Sequence, residues 1–433
     1  MELREKSDKI KKDNKNKIFR LYILTILLFF FYLYMIIIGM HSDLLVKRYI
    51  LISLEVLFVI NFIINIYFAY RLFSSPKKIV LKLWRKILLG IFLTFYVGAS
   101  TVFMFNLYHP KSKFKTWLIT TAMTTMRHQY LCQWFYSPSE IDAVLAKNKV
   151  VDSDDITDGN LIKIGEYEEP RNPEEASILD RKPGEIYRIM DINYMSGRKK
   201  MQGKLAVIYE PKNVYLAVAE KARLNLPNSP GELVADMNRK YGAELGINGG
   251  GFKDPGNGGY ALGVVIQNGK IVSSNGGPAG GMVGIDKEGR FILGRMDANQ
   301  ALAKGIVDAV EFGPYLIVNG NKVEMHGDGG WGESNRTAIG QRKDGIILMM
   351  VFDGRQWGKI PGATVVEVRD LMEKYGAINA GLMDGGTSSS MTLHGEVITQ
   401  PRNSDGFPFT RPVPNAWLVF EDYDDIVKLR KGN

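Results

Sequence analysis

One cysteine, Cys132, stands among 433 residues, which excludes an intramolecular disulfide and a cysteine-rich zinc site. Histidine is almost as scarce. The C-terminal region holds only His326 and His394, neither near a nucleophile-elbow pattern, so Ser-His-Asp catalysis finds little support. The glycine-rich run at 249–263 lacks the Gly-Lys-Ser/Thr of a P-loop. Glycine (45) and proline (17) follow no period, which excludes collagen, and a hydrophobic fraction of 45% excludes a disordered chain. Basic charge is also missing from the larger part of the chain. The net charge is +9, but residues 1–150 carry 22 Lys+Arg against 8 Asp+Glu, and residues 151–433 carry 33 against 38. A nucleic-acid binder needs a basic face on its folded part, so no nucleic-acid partner is expected.

What the N-terminal third does have is long apolar runs. Residues 21–40 and 87–108 carry no charge, and residues 49–70 carry only Glu55. Each is long enough for a helix to cross about 30 Å of hydrocarbon. The first is too long and aromatic for the apolar core of a signal peptide, and no small-residue cleavage site follows. Three transmembrane helices within residues 21–108 are therefore expected, with the lipid bilayer as partner. Lys and Arg crowd the tail 1–20 and the second loop, and only Lys47 and Arg48 stand in the first loop. The positive-inside rule then makes the tail cytoplasmic and puts everything after the third span outside. The expected localisation is a multi-pass cell-membrane protein with an extracytoplasmic C-terminal domain. Glu55, Asn61 and Asn65 in the second span suit helix–helix hydrogen bonding or, alternatively, a ligand path.

Residues 109–185 read as a juxtamembrane helix and stalk. Ser137-Pro138-Ser139-Glu140 has the form of a capping box with proline at the first helical position. Residues 152–185 are acidic and rich in Pro, Gly and Asn, which suggests a stalk or loose loop.

From residue 186 to 433 short apolar runs alternate with tight-turn signals. Asn268-Gly269 and Asn319-Gly320 each separate two apolar runs, the signature of a two-residue hairpin. Residues 346–352 are continuously apolar, as in a strand buried on both faces. Ser229-Pro230-Gly231-Glu232 reads as a capping box opening a helix that Gly242 ends, and a second helix runs over residues 364–375 and stops at Gly376. The expected fold class is α+β: an N-terminal three-helix transmembrane anchor followed by a β-rich mixed α/β domain.

The two helices open an internal echo. Lys240-Tyr241-Gly242-Ala243 leads through a strand to Asn248-Gly249-Gly250, and Lys374-Tyr375-Gly376-Ala377 leads through a longer strand to Asp384-Gly385-Gly386. Paired glycines at strand ends allow close backbone approach to a ligand, or make ordinary turns. Asp384 is followed by Thr387, Ser388, Ser389 and Ser390, a loop rich in hydrogen-bonding groups for phosphate or sugar. That loop could also hold Ca²⁺ or Mg²⁺, although no ligand spacing demands a metal and no cofactor is called for. Asp353 closes the apolar run and faces either a turn or a pocket. Arg336 and Arg411 carry guanidinium groups suited to bidentate phosphate binding.

Together these motifs resemble the phosphodiester glycosidases. Asn248-Gly249-Gly250-Gly251-Phe252, Leu262-Gly263-Val264-Val265-Ile266, Arg336-Thr337-Ala338-Ile339-Gly340, Val351-Phe352-Asp353-Gly354-Arg355, Asp384-Gly385-Gly386-Thr387-Ser388-Ser389 and Arg411-Pro412-Val413-Pro414-Asn415-Ala416 occur in that family's order, over about residues 186–425. The three-helix anchor resembles that of bacterial membrane-bound members related to exopolysaccharide and cell wall. The resemblance implies hydrolysis of a sugar-1-phosphodiester at the anomeric carbon. It implies Asp353 and Asp384 as the catalytic carboxylates, and Asn248, Gly249, Arg336, Thr387, Ser388 and Arg411 as substrate- or phosphate-binding residues. The alternative is a non-catalytic module that binds cell-surface glycan or serves polysaccharide assembly. That module would need the glycine turns and arginines but not both aspartates.

Overall fold

Asparagine-glycine pairs set two of the chain's reversals. In the computed structural model, Asn268 and Gly269 take φ of 54° and 69°, and Asn319 and Gly320 take 53° and 81°. These left-handed pairs match the twist of the strands they join, Val265–Gln267 to Lys270–Ser273 and Tyr315–Val318 to Asn321–Lys322. The structure describes residues 106–107, 109, 111–125, 128–151, 153–197, 199–253, 257–274, 280–356 and 358–432.

Two expectations are corrected here. Among the described residues no helix is long and apolar enough to cross a membrane, so the three-helix transmembrane anchor and the multi-pass localisation are withdrawn. The runs at 21–40 and 49–70, and all but the end of 87–108, lie outside the described residues. The physical reason is that an apolar run permits a span by its length but does not by itself place a helix across a bilayer.

The described residues form two compact units. The smaller takes the described residues up to Thr116 together with Tyr130–Ile141. In it the Tyr136 hydroxyl donates to the Leu107 carbonyl at 2.8 Å, and the Lys115 ammonium pairs with Glu140 at 2.9 Å. Ser137 and Glu140 exchange the two hydrogen bonds of the expected capping box, at 3.3 and 3.2 Å. Cys132 is buried, and burial pushes its thiol up to about 12, which leaves it unreactive.

The larger unit takes Trp117–Gln129 and Asp142–Asn433 and contains three antiparallel sheets. The first has seven strands in the order Tyr187–Ser196, Lys199–Ile208, Ile347–Phe352, Arg336–Arg342, Ala377–Met383, Tyr315–Val318, Asn321–Lys322. The second runs Glu396–Val397, Met391–Leu393, Leu245–Asn248, Asn415–Val419, Val214–Val218. The third runs Lys270–Ser273, Val265–Gln267, Ile306–Phe312, Gly281–Asp286, Phe291–Gly294.

The apolar run at 346–352 is continuous because both faces of its strand are covered. Ile347, Met349 and Val351 join the core shared with the other sheets, around Trp417, Tyr215, Phe291 and Phe420. Leu348, Met350 and Phe352 join a second core under the helix Val365–Lys374, which contributes Val365, Val368, Leu371 and Met372. That helix starts as expected, with a capping box between Thr364 and Glu367.

The helix Val234–Tyr241 differs from expectation at its start. Its N-cap is Leu233 and makes no side-chain cap. Pro230 and Glu232 are held instead in bridges to Gly258 and Val413, and the Ser229 hydroxyl accepts the Leu226 amide at 3.1 Å. Gly242 ends the helix at φ 68° as expected. The segment 152–185, expected as a stalk or loose loop, belongs to the larger unit over its described residues 153–185. Ile178 is fully buried in the second core, and the Thr157 amide donates to the Leu293 carbonyl at 3.0 Å.

Candidate active site

Strand register gathers the candidate residues at one end of three interior strands of the seven-stranded sheet. Arg336 pairs with Phe352, so Asp353 follows beside it, and Thr337 pairs with Met383, so Asp384 follows on the other side. Asp353, Arg336 and Asp384 thus sit at the ends of three neighbouring strands. The second sheet reaches the same place. Its strand Leu245–Asn248 is followed by Gly249, whose carbonyl accepts the Asp384 amide at 3.0 Å.

Asn248 is the clasp between the two strand ends. It is fully buried. Its Nδ2 donates to the Asp384 carbonyl at 2.7 Å, and its Oδ1 accepts the Thr337 hydroxyl at 2.8 Å and the Ser390 amide at 3.2 Å. Gly249 and Gly250 are held by Asn415, through the Gly249 amide to its carbonyl at 3.1 Å and the Gly250 amide to its Oδ1 at 2.8 Å. A Cβ on Gly249 would collide with that same Oδ1, so the close approach requires glycine.

Two guanidinium groups flank Asp384, that of the buried Arg336 and that of the half-buried Arg355. Arg336 donates from Nε to the Ala363 carbonyl at 3.1 Å and from Nη2 to the carbonyls of Trp331 and Gly332. Its Nη1 makes no hydrogen bond among the described residues and lies toward Gly385. Arg355 donates from Nη1 to the Thr387 hydroxyl at 2.9 Å, and its Nη2 lies against Gly386. Burial pushes both arginines down to about 10, and each is moved by a neighbouring cation, Arg336 by Arg355 and Arg355 by Arg411. The charge of Asp384 acts on both in the opposite sense. At neutral pH two cations, one buried and one half-buried, thus face the Asp384 turn, an arrangement that attracts an anion.

The remaining expected residues lie around this centre. The Arg411 guanidinium stands 4.6 Å over the Phe252 ring. Ser388 is buried, and its hydroxyl has no hydrogen-bond partner among the described residues; the same holds for Ser389 and for the side-chain amide of Asn335. Asp353 is buried and looks to another set of groups. Its Oδ1 accepts the Gln400 amide at 2.7 Å, and the nearby charges acting on it are Lys204 and Arg402. Burial raises its pKa above the ordinary aspartate value, against the pull of that amide and those cations. No group of three or more His, Cys, Asp or Glu among the described residues is placed to hold a metal ion.

Arg355, Thr337 and Asn415 were not singled out from the sequence. Arg355 had a signal, since it stands directly after Asp353-Gly354, but nothing in the pattern says that its side chain crosses to Thr387. Thr337 and Asn415 act by closing the turn around Asn248 and Gly249, which only the register reveals.

Residues 241–420 match the family model for phosphodiester glycosidases. They form a phosphodiester glycosidase-like domain. The chain is 24% identical over 227 residues to mouse N-acetylglucosamine-1-phosphodiester alpha-N-acetylglucosaminidase, covering 48% of this chain and 43% of that protein. It is 26% identical over 185 residues to the human enzyme of the same name, covering 39% and 35%. It is 30% identical over 179 residues to an SPbeta prophage-derived protein of Bacillus subtilis, covering 39% and 27%. The chain therefore spans less than half the length of these curated relatives. Among solved structures, the zebrafish catalytic domain of the glucosaminidase, auto-inhibited by its pro-peptide, aligns over 63% of this chain and 100% of that one, with 19% identity and a TM-score of 0.46.

Proposed function

We propose that this domain hydrolyses sugar-1-phosphodiesters at the anomeric carbon, acting on surface polysaccharide. The observation that carries the reading is the pair of arginines facing the Asp384 turn, Arg336 buried and Arg355 half-buried, a place suited to a phosphate beside a carboxylate. Arg336, Arg355 and Arg411 hold the phosphate and stabilise its charge as the bond from the anomeric carbon to oxygen breaks. Asp384 lies in their positive field and suits the ionised carboxylate that steadies the oxocarbenium-like transition state. Asp353, whose raised pKa favours a bound proton, suits the acid–base role. Water supplies the hydroxyl on the sugar, and the phosphate leaves as a monoester.

Asp353 and Asp384 stand at the ends of strands separated by one strand, so their backbones are roughly 10 Å apart at the usual strand spacing. Carboxyl groups about 5 Å apart would give retention and about 6.5–9.5 Å inversion, which the anomeric form of the product distinguishes. The test incubates the protein with UDP-N-acetylglucosamine and with a simple sugar-phosphate diester, beside the Asp384→Asn protein. Mass spectrometry follows free sugar, and proton NMR of the first product gives its anomeric form. Release by the parent alone supports the reading. Equal release by both proteins, or none by a folded parent, overturns it and leaves the glycan-binding module.

A further inference from the structure

Arg336 takes its orientation from a loop with little rigidity of its own. Its Nη2 donates to the carbonyls of Trp331 and Gly332, the latter at 2.9 Å, and its Nη1 is thereby left toward Gly385. The loop that supplies those carbonyls, residues 326–334, holds Gly327, Gly329, Gly330 and Gly332 in the left-handed region, with φ of 60°, 79°, 76° and 55°. A stretch so rich in glycine has many conformations within reach. Holding one of them has an entropic cost that contacts from outside the loop must offset. On one side residues 148–150 supply them, where the Lys149 carbonyl accepts the His326 amide at 2.8 Å.

On the other side the contacts come from far back in the chain. Residues Trp117–Gln129 belong to the larger unit, and Ile119 and Thr120 are fully buried. The Thr120 hydroxyl donates to Asp328 Oδ2 at 2.5 Å, and the Oδ1 of the same carboxylate accepts the Gly330 amide at 2.8 Å. The Trp117 indole donates to one oxygen of Glu333 at 2.8 Å, and Lys199 of the seven-stranded sheet pairs with the other at 2.9 Å. Between these two tethers Gly332 lies so close that a Cβ on it would fall 2.4 Å from the Thr121 Cα. The same segment meets the loop beside the second arginine. His128 Nε2 stands 3.6 Å from Asp405, and in that loop the Arg402 carbonyl accepts Arg355 Nη1 at 3.4 Å. Residues 117–129 thus touch both loops that hold the arginines, although they lie outside the residues 241–420 matched to the family.

We propose that Trp117 and Thr120 are positioning residues of this site: through Glu333 and Asp328 they fix the loop that aims Arg336 at the Asp384 turn, so that residues 241–420 are not a complete active site by themselves. The proposal rests on the role given above to Arg336, and its test separates the two. In the full chain, Trp117→Phe/Thr120→Val removes both donors and leaves an aromatic ring and a branched side chain in place. Its kcat/KM on a simple sugar-phosphate diester is expected to fall about tenfold or more, because a binding group displaced by about 1 Å has effects of that order. The loss on aryl glycosides, which carry no phosphate, is expected to be smaller. Thr120→Ser, which keeps the hydroxyl, is expected to match the parent. In an Arg336→Ala background the double substitution is expected to cause no further loss. A full additional loss in that background, equal losses on both substrates, or the parent's rate in the double variant overturns the proposal while the reaction stands. A rise in activity overturns it too, and makes the segment an obstruction. If the double variant does not fold, Trp117→Phe alone carries the same cycle. Should the parent cleave no diester, the reaction fails, and hydrogen exchange decides the tether. Amides of residues 326–334 exchanging about tenfold faster in the variant, with the sheets unchanged, support it, and unchanged exchange overturns it.

Discussion

The two echoing turns, Asn248-Gly249-Gly250 and Asp384-Gly385-Gly386, share a scheme and differ in use. Each follows a helix closed by Tyr-Gly-Ala and a buried strand, and each ends its strand in a polar residue and two glycines. The first turns its polar side chain inward, where the amide of Asn248 has a partner for donor and acceptor alike. The second gives its backbone to that clasp, and its carboxylate acts on Arg336 and Arg355. The difference is chemical. An amide both donates and accepts and can be satisfied deep inside, whereas a carboxylate only accepts and is stable there only beside cations. One turn holds the site and the other equips it.

Exchanging the polar residues breaks that division. Asp384→Asn keeps the backbone bonds to Gly249 and Asn248 and removes the charge. Turnover on a sugar-phosphate diester is expected to fall about 100-fold or more, with an unchanged melting curve. Normal activity in the folded variant would remove Asp384 from the mechanism. Arg355→Ala sharpens the same side of the comparison. The expected loss in kcat/KM is about 30-fold on diesters and smaller on aryl glycosides, and equal losses on both would argue against phosphate binding. Asn248→Ala strikes the clasp, leaving the Asp384 carbonyl, the Thr337 hydroxyl and the Ser390 amide without their partner. Urea titration should show a loss of about 2 kcal/mol, and a variant as stable as the parent would contradict the structural role.

A smaller effect on stability than at Asn248 is expected at Asp353. Its folded pKa is raised above the ordinary 3.8 by burial. Its protonated form therefore supports the fold fully below that ordinary value, and the support is lost as pH rises through the raised one. Asp353→Asn should remove this dependence and raise Tm at neutral pH by roughly 2–4 °C while lowering turnover about 100-fold. An unchanged Tm across that pH range would deny the buried-carboxyl reading.

Much of this was legible before any coordinates. The Asn-Gly hairpins, the doubly buried strand at 347–352 and the echo itself follow from local rules, because turn chemistry and burial pattern act over a few residues. The helix start at Leu233 was not legible. Ser229 and Glu232 have the right identities for a cap, but long-range bridges to Gly258 and Val413 hold the segment extended. At the site, sequence offered Asp384 and Arg336 as single residues. That Asn248 closes on Asp384, and that Asp353 faces Gln400 and Lys204, depends on which strands lie side by side, and no short pattern records that order. The apolar runs at 21–40 and 49–70 show the opposite risk, since a strong local signal carried the membrane expectation further than the described structure supports.

The bond from Asn248 to the Asp384 carbonyl joins residues 136 positions apart. Closing so long a loop carries an entropic cost that only the finished sheets offset. During synthesis Asn248 emerges long before its partner, and Asn415, which holds Gly249 and Gly250, comes later still. Competence should therefore arrive abruptly, near the end of translation, and a chain stopped before residue 415 would leave the glycine turn without its keeper.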